Sequence, residues 1–179
     1  MLGPPLATAA PVETPAAAGS GSVRTETTTF GGWTVTCQQV LNAEAKKSCI
    51  GSLHVLSQDG RTVLLSWLVG FDKDRHPMSV LQVASGLAVR EDKSVSSGLR
   101  IKDGLDVKVG DAVARKIPYQ SCSPQVCEAV TALDEAFAKT LGGGGPVSVI
   151  AYAADGRPIP LSFDVRGVDK AIDAVRQSQ

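Results

Sequence analysis

"SCIGSLHVLSQDGRTVLLSWLVGF", residues Ser48 to Phe71, decides the fold class. Two runs rich in Val, Leu and Ile flank Asp59-Gly60. An Asp-Gly between two β-rich runs is a strong hairpin signal, because a type I′ turn needs φ > 0 at both central residues. The stretch reads as two antiparallel strands. In the first of them Leu53 and Val55 share one side and leave His54 on the other, since side chains alternate along a strand.

The same reading extends outward. Upstream, "FGGWTVTCQQV" sets Trp33, Val35, Cys37 and Gln39 against Thr34, Thr36 and Gln38, a period of 2. Downstream, "MSVLQVASG" is a fourth strand, and one or two short strands are expected around Leu99 to Ile101 in the polar stretch 87–104. "LDVKVG", "AVARKIPYQ" and "VCEAVTAL" each read as a strand. "DEAFAKTL" reads as a short helix near 134–141, with Asp134 as N-cap and Gly142 just past its end. Gly142–Gly145 and Pro146 break the chain, and "PVSVIAYAADGRPIPLSFDVRG" repeats the hairpin logic around Asp155-Gly156. In "VDKAIDAVRQ" the residues Val168, Ala171, Ile172 and Val175 form one helical stripe.

About eight to ten strands with frequent turn signals predict a mainly β, antiparallel sandwich or barrel-like domain over residues 30–179, closed by a C-terminal helix. There is no βαβ rhythm. Residues 1–29 are rich in Pro, Ala and Thr without a period. They read as a disordered tail left after a removed signal peptide.

The 179 residues fit one domain. The formal net charge is zero, so the basic excess of a nucleic-acid binder is missing. Apolar runs stop well short of the ~20 residues of a membrane span.

Cys37, Cys49, Cys122 and Cys127 fall into two local pairs. Four cysteines allow three connectivities, although locality favours neighbours. A zinc site is disfavoured, because C-x4-C and C-x11-C do not make two knuckles and only two histidines could complete a set. A redox pair is disfavoured too, since neither spacing is C-x-x-C at a helix start. Structural disulfides remain, and they imply an oxidising compartment.

Catalytic motifs are missing. His54 reads as a strand residue and His76 as part of a solvated turn, "DKDRHP". The Gly142–Gly145 run lacks the Lys-Ser/Thr of a phosphate loop. Asp103, Asp106 and Asp111 lack calcium-loop spacing. No cofactor or metal is expected.

"GGWTVTC", "KKSCIG", "KIPYQSCSPQVCEA" and "PLSFDVRGVDKAIDAV" together resemble the invasion-associated locus B family of alphaproteobacteria, over roughly Phe30 to Gln177. The matching positions are Trp33, Val35 and Cys37; Tyr119, Cys122, Pro124 and Cys127; and Leu161, Ser162, Phe163, Gly167 and Ala171. Only "VASGLAVREDKSVSSGLRIKDG" departs, having no proline where the family carries Leu-Pro and Pro-Gly-Val pieces. The resemblance implies a small exported β protein of the periplasm or outer envelope. It pairs Cys37 with Cys49 and Cys122 with Cys127, and it brings no catalytic residue. Through the founding member it also implies a link to virulence.

The expected function is a non-catalytic cell-envelope protein, periplasmic or secreted, that meets a protein partner in the envelope or a host. Candidate contact residues are Lys46 and Lys47 in one loop and Arg75 and His76 in another. The alternatives are a small-ligand-binding periplasmic protein, or an envelope hydrolase drawing on Asp72, Asp74 and His76.

Overall fold

The computed structural model describes residues 22–41, 47–86 and 98–178. Among these residues, eleven strands form two antiparallel sheets. The large sheet has seven strands. In spatial order they are β1 (Val23–Phe30), β2 (Trp33–Val40), β3 (Ser48–Leu56), β4 (Val63–Phe71), β5 (Pro77–Ala84), β9 (Val126–Ala132) and β8 (Tyr119–Cys122). The small sheet runs β11 (Pro158–Asp164), β10 (Pro146–Tyr152), β6 (Leu105–Val109) and β7 (Arg115–Ile117). Helices α1 (Glu135–Gly142) and α2 (Val168–Arg176) complete the domain. It is a two-sheet sandwich, not a closed barrel.

Strand structure starts before the expected boundary at residue 29. Val23–Phe30 is a full strand, paired with β2 from Val23↔Val40 to Phe30↔Trp33. The missed signal is Gly31-Gly32. Gly31 stands at φ 60°, which suits the first central position of a two-residue type II′ hairpin. The Thr-rich run before it has strand propensity. The rest of the expected tail, residues 1–21, lies outside the described residues.

Turns differ in type from the expectation. Gly60 (φ 69°) and Gly156 (φ 88°) have positive φ, but Asp59 and Asp155 do not. Neither hairpin is therefore type I′. The Asp59 carboxylate instead accepts the Ser57 hydroxyl and the Arg61 N–H, the Asx-turn use of aspartate.

"AVARKIPYQ" is two strands in different sheets, because Pro118 ends β7 and the chain crosses to β8. Leu99 makes only an isolated bridge to Ala153, and Ile101–Asp103 is one 3₁₀ turn where a strand was expected. Residues 87–97 of that stretch lie outside the described residues. Asp134 caps α1 by accepting from Phe137 N at 2.7 Å, and Gly142 is the last helical residue, not the one after.

The core sits between the sheets and under α2. Trp33, Leu53, Leu65, Trp67, Leu81 and Val83 of the large sheet are buried, as are Val107, Val147 and Val149 of the small one. Trp67 stacks on Phe137 and meets Trp33 and Phe163 edge-on, with centroids 6.0–6.3 Å apart. Its indole N–H reaches Ser79 Oγ at 2.6 Å, which accounts for a fully buried serine. The α2 stripe Val168, Ala171, Ile172 and Val175 is buried against β1–β4. Gly167 (φ 92°) and Gly31 cross there so closely that a Cβ on either would sit 2.3 Å from the other segment's carbonyl oxygen. One side of the large sheet is thereby covered. Among the described residues, no helix or strand covers the other side.

Candidate functional site

All four cysteines are used in disulfides, Cys37–Cys49 across β2 and β3 and Cys122–Cys127 across β8 and β9. Each pair occupies directly opposed positions in an antiparallel ladder. No thiolate is left to ligate a metal or act as a nucleophile.

Of the expected contact residues, Lys47 precedes β3 and Arg75 and His76 follow β4, so they lie on two different loops. Lys47 Nζ is 2.7 Å from Glu26 Oε2, and Arg24 reaches Glu26 Oε1 at 2.9 Å. The Lys47 hydrogen bond and charge, helped by Arg24, hold the Glu26 carboxyl below its ordinary range. Lys46 lies outside the described residues. Arg75 and His76 sit in the β4–β5 turn, where Arg75 adopts φ 65°. There the Asp72 carboxylate accepts N–H bonds from Asp74 (2.9 Å) and His76 (2.8 Å). The imidazole Nδ1 lies 3.3 Å from Asp72 Oδ2, with the His76 side chain 72% exposed. Asp72, Asp74 and His76 do cluster closely enough to share an ion, but all three are exposed. Among the described residues nothing walls the cluster off from water, so it has the form of a solvated turn.

His54 stands on the open side of the sheet, exposed, with Nδ1 2.9 Å from Ser66 Oγ. An activated serine needs its base oriented by a third group, and among the described residues none bonds His54. Tyr119 packs on the core, and burial raises its phenol well above the ordinary value. It therefore stays protonated, with no hydrogen-bond partner for its hydroxyl among the described residues.

The feature the sequence reading passed over is the open side itself. Register places Ile50, Gly70 and Met78 in one row across β3–β5. Ser52, Leu68, Val80 and Val130 form the next row, across β3–β5 and β9. His54, Ser66, Gln82 and Glu128 form the third. The two apolar rows line a groove of about 530 Å³ that ends at Asp72 and Lys73. Ile50 is 49% exposed, and Leu68, Met78, Val80 and Val130 are half-buried. Among the strand residues of this side, Glu128 is the one formal charge. Gln82 (2.8 Å) and Ser121 (3.1 Å) bond it in place.

A family model described as "Invasion associated locus B (IalB) protein" matches residues 33–176. The chain belongs to the invasion-associated locus B family. In this family a crystal structure titled invasion associated protein B, from Bartonella henselae, is similar to it. The TM-score is 0.65 at 16% identity, covering 84% of this chain and 95% of that one. At that identity the likeness speaks for the shared fold. No curated protein matches the sequence. For an invasion-associated locus B protein, two disulfides fit a compartment outside the reducing cytosol. No helix among the described residues is long and apolar enough to cross a membrane.

The open side was findable from sequence. Strands β2–β5 contain no Asp, Glu, Lys or Arg, in a chain that is 20% charged. A half-exposed sheet normally puts charged residues on its wet side.

Proposed function

We propose that the chain is an exported, non-catalytic protein of the periplasm or outer envelope that binds a protein partner through the open side of its large sheet. The observation that carries this reading is the near-absence of charge on a broad, exposed and partly aliphatic sheet face. Depletion of charge around aliphatic residues is what distinguishes the centre of an interface from ordinary surface. The scattered histidines speak against catalysis, since each faces solvent outside any enclosed pocket. Among the described residues the space between the sheets is filled, with Trp33 and Trp67 fully buried, which speaks against a ligand-holding lumen.

The reading is tested by placing a photo-reactive residue at Val80 or, as control, at Ser148 on the outer side of the small sheet. Irradiation of cells expressing each variant is expected to give a discrete adduct from position 80 and none from position 148. Adducts from 148 alone would refute the assignment of the face.

A further inference from the structure

The open side of the large sheet is broad enough to be a whole interface, and we propose that its occupant is a second copy of this chain. This rests on the docking reading above and names the partner. Seven strands ~4.8 Å apart, rising ~3.4 Å per residue, give a twisted face of roughly 700–800 Å². A standard pairwise interface hides about 800 Å² on each partner. One such face against another therefore supplies a full interface without any further element. Two sheets packed this way stand ~10 Å apart with strands crossing near −30°, the aligned arrangement of any sandwich.

Charge points to the same partner. A heterologous complex uses complementary charges to choose its partner and fix the register. Among its described strand residues this face has only Glu128 as a formal charge, already bonded by Gln82 and Ser121, and so offers no such code. A two-fold axis needs none, because symmetry itself sets the register and apolar rows meet apolar rows. The chain's formal charge is zero, so two copies do not repel. The turn at the end of the groove carries both signs, Asp72 and Asp74 with Lys73 and Arg75, so pairing gathers no single-sign field. Shape agrees as well. Gly70 leaves a hollow between Ile50 and Met78, and Ile50 projects beside it. A knob from one copy and a hollow from the other can engage twice about a central axis near Leu68, which lies on the middle strand.

Sedimentation equilibrium of the full oxidised chain tests this. The expected mass at tens of micromolar is twice that of one chain. Leu68→Lys and Thr34→Lys, in the same row with Ser52 of β3 between them, are each expected to give single-chain mass with unchanged near-ultraviolet tryptophan signals. Thr34→Lys alters no aliphatic residue and so covers a folding failure of the other. Ser148→Lys is expected to stay dimeric. Wild-type protein at single-chain mass at ~100 μM, above the affinities usual for interfaces of this size, would overturn the proposal. A dimer that survives both lysine variants would overturn it too. A monomer that still yields a position-80 adduct of another mass sinks the second copy and spares the docking face. A monomer with no adduct sinks both.

Discussion

The two outward sides of this sandwich meet water in opposite ways. On the small sheet, Asp106 accepts the Tyr152 hydroxyl at 2.5 Å and pairs with Lys116 at 3.0 Å. Lys116 also donates to Asp103 O at 3.0 Å, and Asp164 pairs with Arg166 at 3.0 Å. These charges satisfy one another and leave a finished wet surface. The large sheet instead presents threonine, serine and aliphatic side chains around one fixed carboxylate. Water is not excluded from it, yet little there gains by facing water. Within one domain, the small sheet ends the structure and the large sheet leaves a side whose burial would still release free energy.

The largest test of that contrast uses adjacent residues of β4. Trp67 points into the covered side and is fully buried, while Leu68 points to the open side. Trp67→Ala is expected to cost about 3–5 kcal/mol through cavity formation and a lost indole hydrogen bond. Leu68→Ala is expected to cost under ~1 kcal/mol in the dilute single chain. Urea unfolding at low protein concentration measures both. Equal losses would mean that something covers Leu68 within one chain.

The next effect separates the disulfides. Both lie inside the large sheet and neither ties the sheets together. Opening the Cys37–Cys49 loop as a double serine variant is expected to cost about 3 kcal/mol, and opening the shorter Cys122–Cys127 loop about 2 kcal/mol. Denaturant midpoints rank them. The reverse order would show that native contacts around the second pair, not chain entropy, set the loss.

The strands, both helices and the family were legible because each rests on local pattern. Period 2 in Trp33–Val40 and the i, i+3, i+4, i+7 stripe of α2 record which side is buried. What stayed hidden depends on pairs of segments. That β7 and β8 belong to different sheets is decided at Pro118 by tertiary packing, which a continuous alternation conceals. β1 was lost because a Thr-rich run carries no apolar stripe, and its membership depends on the Gly31–Gly167 crossing 136 positions apart in sequence numbering. Contact residues were sought in charged loops, where Lys47 turns out to be paired. The alternation of Trp33, Val35 and Cys37 against Thr34, Thr36 and Gln38 shows which side is core, but it does not show that among the described residues nothing covers the other side.

A smaller effect tests the finished character of the small sheet. Asp106→Asn is expected to cost about 1–2 kcal/mol, in the range for hydrogen bonds to a charged group. The Tyr152 hydroxyl first, then Lys116, hold the Asp106 carboxyl below its ordinary range. A carboxyl lowered in the folded state adds stability that is complete above its unfolded value, ~3.9, and lost as pH falls through the folded one. The wild type should therefore lose more stability than the variant as pH drops below ~4. Parallel pH profiles would show that the pairing contributes nothing.

The smallest effect concerns the turn that first drew attention as a catalytic candidate. The Asp72 carboxyl is lowered chiefly by the backbone N–H of His76, with the imidazole a lesser cause. That N–H survives any substitution at position 76 except proline. His76→Ala is thus expected to change stability by less than ~0.5 kcal/mol, as exposed sites usually do. It should also leave the Asp72 carboxyl below the ordinary range when followed by carbon-detected NMR titration. If Asp72 instead returned to an ordinary carboxylate value, the imidazole would be its main partner. A coupled Asp–His pair would then stand at the end of the apolar groove, and the division between a chemically silent open side and a self-satisfied charged side would have to be redrawn there.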